Sequence, residues 1–150
     1  MRFRRSLTVL AGAAAALLVG SGSASAASGF AARDLPSFQG CSTLRQALSV
    51  AEWDNTVHGE SQAPLIWNNS VCDNIRITQN IYVVDTATNS IVYDSGPRVA
   101  AGTQVQTTIN FRLSPTQYAQ LNSIFSRNGS NSPIYVSYVY ANGTVAYANY

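Results

Sequence analysis

Val105-Gln106-Thr107-Thr108-Ile109-Asn110-Phe111-Arg112-Leu113 alternates without a break. Val105, Thr107, Ile109, Phe111 and Leu113 fall on one side, and Gln106, Thr108, Asn110 and Arg112 on the other. A period of two with one apolar set is the mark of a β-strand with one face buried and the other in water. The same period governs the segment from Val71. Ile75, Ile77, Ile81 and Val83 share a face, and Arg76, Thr78, Asn80 and Tyr82 share the opposite one. A polar cluster over Thr86–Ser90 is followed by Ile91-Val92-Tyr93, which reads as the return strand of a hairpin that Asp94-Ser95-Gly96-Pro97 then breaks.

Further along, Ile134–Tyr140 and Val145–Tyr150 flank Asn142-Gly143, and Asn-Gly between two β-rich runs is a strong hairpin signal. A two-residue turn there pairs Ala141 with Thr144, Tyr140 with Val145, Tyr138 with Tyr147 and Tyr135 with Tyr150. Two segments carry helical spacing instead. Leu44, Ala47, Leu48 and Ala51 fall three and four apart within Ser42–Trp53, with Thr43 and Gln46 as a capping box. Ser114-Pro115 opens a second, short helix with the stripe Tyr118, Leu121, Ile124 and Phe125, stopped at Asn128-Gly129. The expected architecture is a mainly β, antiparallel sandwich of immunoglobulin-like size, with one N-terminal helix and one short helix before the C-terminal hairpin.

Residues 1–26 have the composition of a secretory signal peptide: Arg2, Arg4 and Arg5, an apolar run over Leu7–Val19, and Ala24-Ser25-Ala26 as cleavage site. Residues 27–39 follow as an extended arm bearing Phe30, Leu35 and Phe38, and residues 40–150 as one disulfide-stapled β-rich domain. Export implies an oxidising setting, in which Cys41 and Cys72 have a single internal pairing open to them. Of nine basic residues, all Arg, three leave with the signal, so six face seven acids and the mature chain is slightly acidic. Six scattered arginines give no basic patch for a nucleic acid. No later apolar run is long enough to span a bilayer.

The chemistry-bearing residues are sparse. His58 is the sole histidine, beside Ser61 and near Glu52 and Asp54. Residues this close in one segment, without a Gly-x-Ser-x-Gly elbow, do not converge as a triad. Glu52, Asp54 and Glu60, with Asn55, lack the spacing of a calcium loop, and one histidine with two paired cysteines supplies no zinc set. The sequence therefore points to a chain that is not an enzyme and carries no cofactor or metal.

The aromatic residues are the better lead. Trp53 and Trp67 are core anchors or, with Tyr82, platforms for a sugar ring; Tyr82, Tyr135 and Tyr150 alternate away from the larger apolar set and are expected to be exposed. After Arg127 no formal side-chain charge occurs through Tyr150, so a terminal edge strand would lack the charges that block strand pairing. The favoured function is a secreted, extracellular binding or adaptor protein that contacts protein partners through Phe30, Leu35, Phe38, Tyr135 and Tyr150. The alternatives are a glycan-binding module using Trp53, Trp67 and Tyr82, and a hydrolase inhibitor presenting the loop Asp54–Pro64.

In its Ala-rich signal, its arm Gly29–Gln39 and its single Cys41/Cys72 pair, the chain resembles the small adaptor subunits of the umbrella-type toxin particles secreted by filamentous actinobacteria. The resemblance implies a bridge between a repeat-bearing toxin subunit and a lectin-like subunit.

Overall fold

The computed structural model describes residues 28–63, 72, 74–101 and 104–150. The signal segment, the Leu65–Trp67 strand and Trp67 itself lie outside them. Eleven strands occur among the described residues, and no helix. β1 (Gly29–Asp34), β2 (Arg45–Ala51), β3 (Thr56–Gln62) and β7 (Gln104–Asn110) form an antiparallel four-stranded sheet in that order. The seven-stranded sheet runs β11 (Val145–Asn149), β10 (Tyr135–Tyr140), β8 (Gln117–Arg127), β4 (Arg76–Asp85), β5 (Ser90–Asp94). In that sheet β6 (Arg98–Ala101) also pairs with β4, and β9 (Ser130–Asn131) with β8. The two sheets face each other across one core, consistent with a β-sandwich.

Both expected helices are strands. In β2 the inward residues are Leu48 and Val50 with Gln46, and Leu44 continues the same face just before the strand. The helical spacing came from Ala47 and Ala51, which point outward and are half-buried. In β8 the inward set is Ala119, Leu121, Ser123 and Phe125, while Tyr118 and Gln120 on the other face are buried too. A strand buried on both faces loses its alternation, which is why the segment mimicked a helix. The arm is also incorporated: Gly29–Asp34 pairs in register with Val50–Arg45, and Leu35 is buried. The segment read as the loop Asp54–Pro64 is mostly β3, an interior strand between β2 and β7.

The terminal hairpin forms with a different register. Tyr138 pairs with Ala146 and Tyr135 with Asn149, because the loop has three residues, Ala141-Asn142-Gly143, closed by Tyr140 N–H to the Thr144 carbonyl. Gly143 alone in that loop takes a positive φ, 84°. That is the three-residue hairpin with glycine at its left-handed position. The one-residue change reverses which way the partner side chains point. Tyr135, expected outside, is buried against Phe125 and beneath Arg33.

The core has two apolar ends. One holds Leu48, Val57, Ile81, Ile109 and Leu121; the other holds Leu44, Ile75, Ile77, Phe125 and the Cys41–Cys72 disulfide. Between them the main core strands each contribute one polar side chain: Arg33, Gln46, Ser61, Thr107, Gln79, Ser123 and Ser137. Arg33, Gln46 and Ser61 are register neighbours in one sheet, and Gln79 and Ser123 in the other.

These side chains form a directed hydrogen-bond chain. Arg33 Nη2 donates to Gln46 Oε1 (3.3 Å), and Gln46 Nε2 to Ser123 Oγ (2.8 Å). Ser61 Oγ donates to Gln79 Oε1 (2.6 Å), so Ser123 supplies the proton between the two serines (2.6 Å). Gln79 Nε2 completes the path to Thr107 Oγ1 (2.8 Å) and the Gly59 carbonyl (3.1 Å). Ser137 also donates to Gln46 Oε1, and Gln46 Nε2 reaches the Tyr135 carbonyl at 2.9 Å. Among the described residues no buried side-chain nitrogen or oxygen lacks a partner. A slip of any core strand breaks this belt as well as the apolar packing, so it specifies register.

Gly59 sits at a close approach of the two sheets. A Cβ there would lie 2.7 Å from Leu121 Cδ1 and 3.0 Å from Ile81 Cδ1. Gly59→Ala is expected to cost about 1–3 kcal/mol by overpacking. Denaturant unfolding checks this; a midpoint unchanged from wild type would refute the close fit.

Candidate functional site

The acidic side chains among the described residues all have structural work. Asp34 pairs with Arg45 at 2.9 Å and Glu52 with Arg112 at 3.2 Å. Asp54, Asp85 and Asp94 each accept the backbone N–H two residues on, closing a turn at a strand end. Glu60 accepts from the Gln104 and Gln106 side chains, and its Oε2 lies 3.8 Å from His58 Nε2. His58 Nδ1 lies 2.7 Å from Thr108 Oγ1, while Ser61 is inside the core on the opposite face of β3. The hydroxyl and imidazole of the segment 58–61 are thus on opposite sides of one strand. Among the described residues no group of three His, Cys, Asp or Glu is placed to hold a metal.

The named aromatic and apolar candidates separate. Trp53 sits in the β2–β3 turn and is 83% exposed, so it is not a core anchor. Tyr82 is half-buried on the outer face of the seven-stranded sheet, with Val84, Tyr118, Val136 and Tyr138. The Tyr118 ring lies 5.6 Å from Tyr138 and 5.2 Å from Tyr140. Burial there pushes the Tyr118 phenol up to about 12 and raises Tyr138 and Tyr140 as well. Tyr150 is half-exposed, its hydroxyl 3.3 Å from that of Tyr138.

Phe30 is exposed on β1, whereas Leu35 is buried and Phe38 packs beside the disulfide. Arg33, over the Tyr147 ring at 5.0 Å, donates to the Val136 and Ala148 carbonyls, and Tyr147 Oη donates to the Ala32 carbonyl. Burial lowers the Arg33 pKa from its ordinary value, opposed by the neighbouring tyrosines. The proposed partner residues therefore do not make one surface. The margin between β1 and β11 is bridged by Arg33 and Tyr147.

The opposite margin is a sheet edge among the described residues. β5 and β6 lie end to end along β4, kinked at Ser95-Gly96-Pro97, with no strand on their other side among the described residues. All five residues of β5 are exposed; Ile91 is 50%, Val92 44% and, in β6, Val99 47% exposed. Tyr93 stands against Phe111 at 5.5 Å. A register shift between Val83 and Val84, Pro97, and the charges of Asp94 and Arg98 are the edge's only interruptions. An apolar edge with free backbone groups is a template for another strand. Sequence reading found the strand but not its edge position. The available signal was Pro97, because a proline next to a strand is tolerated at a sheet edge.

No protein-family model, curated protein or solved structure matches the chain.

Proposed function

We propose that this chain is a secreted, non-catalytic binding or adaptor protein that docks extracellular protein partners by strand addition at the β5–β6 edge. The observation that carries the reading is the run Ile91-Val92-Tyr93, exposed along its whole length at a sheet edge. Main-chain pairing would give affinity, and the exposed side chains selectivity. The disulfide suits an oxidising compartment. The engagement of His58 by Thr108 and of the carboxylates by turns and amides supports binding over chemistry. The toxin-particle likeness fits the same reading, with the chain as the bridge. The inhibitor alternative loses its loop, since residues 56–62 are β3. The glycan alternative retains Trp53 among its described residues, Tyr82 being half-buried.

The test is capture from culture medium of the producing cells with the tagged mature chain. Stoichiometric protein partners are expected. Ile91→Lys, at an exposed position, should change stability by less than ~0.5 kcal/mol yet weaken capture at least about tenfold. A chain that elutes alone, or an Ile91→Lys variant that captures as well as wild type, would overturn the proposal. Deleting residues 27–39 would be a poor probe, because it removes β1.

A further inference from the structure

We propose that the outer face of the four-stranded sheet is a binding site for a single neutral pyranose sugar, separate from the β5–β6 edge. The strand registers place the outward side chains in rungs. Phe30, Ser49, His58 and Thr108 make one; Ala32, Ala47, Glu60 and Gln106 the next; Asp34, Arg45, Gln62 and Gln104 the third. The middle rung has only methyl groups on β1 and β2, so the face is hollow there. The hollow has a volume of about 250 Å³, with Phe30, Ala47, Ser49, His58, Glu60 and Arg45 among its walls and floor. That is just below the roughly 300–1,000 Å³ of sites for drug-sized ligands, and suits one sugar ring.

The lining has the two properties such a ring requires. Phe30, 66% exposed, with the Ala32 and Ala47 methyls offers an apolar plane for the C–H face of the ring. His58, Glu60, Gln62 and Ser49 along the other side offer donors and acceptors for hydroxyls. Glu60 already accepts two side-chain amides, which fixes its orientation and leaves about half of its acceptor sites for a ligand. Arg45 is held by Asp34, so the charges at that end cancel. A neutral, hydroxyl-rich ligand matches this surface. An anion would meet the Glu60 carboxylate.

The test is an amide-shift titration of the mature protein with the methyl β-pyranosides of glucose, galactose and N-acetylglucosamine, each to ~100 mM, since a single ring binds with a Kd in the millimolar range. At least one is expected to shift residues 30, 47, 49 and 60 together in a saturable way. Ala47→Leu, which fills the hollow from an outward position, should weaken that binding about tenfold or more. Phe30→Ala, at an exposed position, should do the same with the melting temperature kept. Absence of saturable shifts at these residues with all three glycosides, or binding that survives both substitutions in folded protein, would overturn the proposal. Ile91→Lys leaves this face untouched, so sugar binding that persists in that variant separates this site from the protein-docking edge.

Discussion

Replacing Gln46 by alanine is expected to destabilise the domain by about 3–5 kcal/mol, a drop in Tm on the order of 10–20 °C. Gln46 is fully buried and is the junction of the polar belt. Its amide nitrogen serves Ser123 and the Tyr135 and Leu121 carbonyls, and its oxygen takes protons from Ser137 and Arg33. Truncation leaves those groups in the core without their partner, together with a cavity. The cost of unmet buried groups exceeds the net gain of the bonds themselves, so this effect is larger than a count of hydrogen bonds suggests. Ser49→Ala, an outward neighbour on the same strand, should cost less than ~0.5 kcal/mol and serves as control. Denaturant unfolding measures both. A Gln46→Ala midpoint close to that of Ser49→Ala would mean that the belt does not hold the sheets together.

Removing the disulfide with Cys41→Ala and Cys72→Ala is expected to cost about 3–4 kcal/mol, the loop-closure value for a span of this size. The bridge closes a separation of 31 residues and lies wholly within one apolar end of the core, packed with Leu44, Ile75 and Phe125. It ties the turn before β2 to the entry of β4, so it links the two sheets at that end. Alanine is the suitable replacement because both cysteines are fully buried, and serine would bury two additional hydroxyls. Faster amide exchange should accompany the loss, concentrated near Leu44, Ile75 and Ile77. A cost below ~1 kcal/mol would show that the unfolded chain gains little freedom when the bridge is absent.

What the sequence revealed follows from how each strand is buried. β4 and β7 were legible because each has one face in the core, and alternation survives even with Gln79 and Thr107 at inward positions. β2 was not, because Gln46 occupies an inward position while Ala47 and Ala51 lie outward, and small residues satisfy either period. β8 hid for a different reason: Tyr118 and Gln120 are buried on its outer face, so apolar and polar residues stand on both sides. The polar belt is what the reading lacked. A glutamine or serine in a strand reads as solvent-facing until the partners that satisfy it are known, and those partners lie far away in sequence, such as Ser123 and Ser137 for Gln46.

The site was legible in part. The Ile91-Val92-Tyr93 strand was recognised, but whether a strand is central or peripheral depends on sheet order, which local pattern does not encode. Phe30 was read as a partner contact on an extended arm; the structure places it exposed on β1, which is part of the sheet. Trp53 stands exposed because it occupies a tight turn where Asn55 takes a positive φ of 54°, with no strand to turn its ring inward.

Amide hydrogen exchange across Ser90–Asp94, on the chain alone and on the complex captured from culture medium, tests the docking edge most directly. In the free chain the amides of this stretch that do not bond to β4 should exchange quickly, and in the complex they should become protected, as in a strand newly placed inside a sheet. Unchanged exchange at residues 90–94, with protection arising elsewhere on the surface, would contradict partner recognition at this edge.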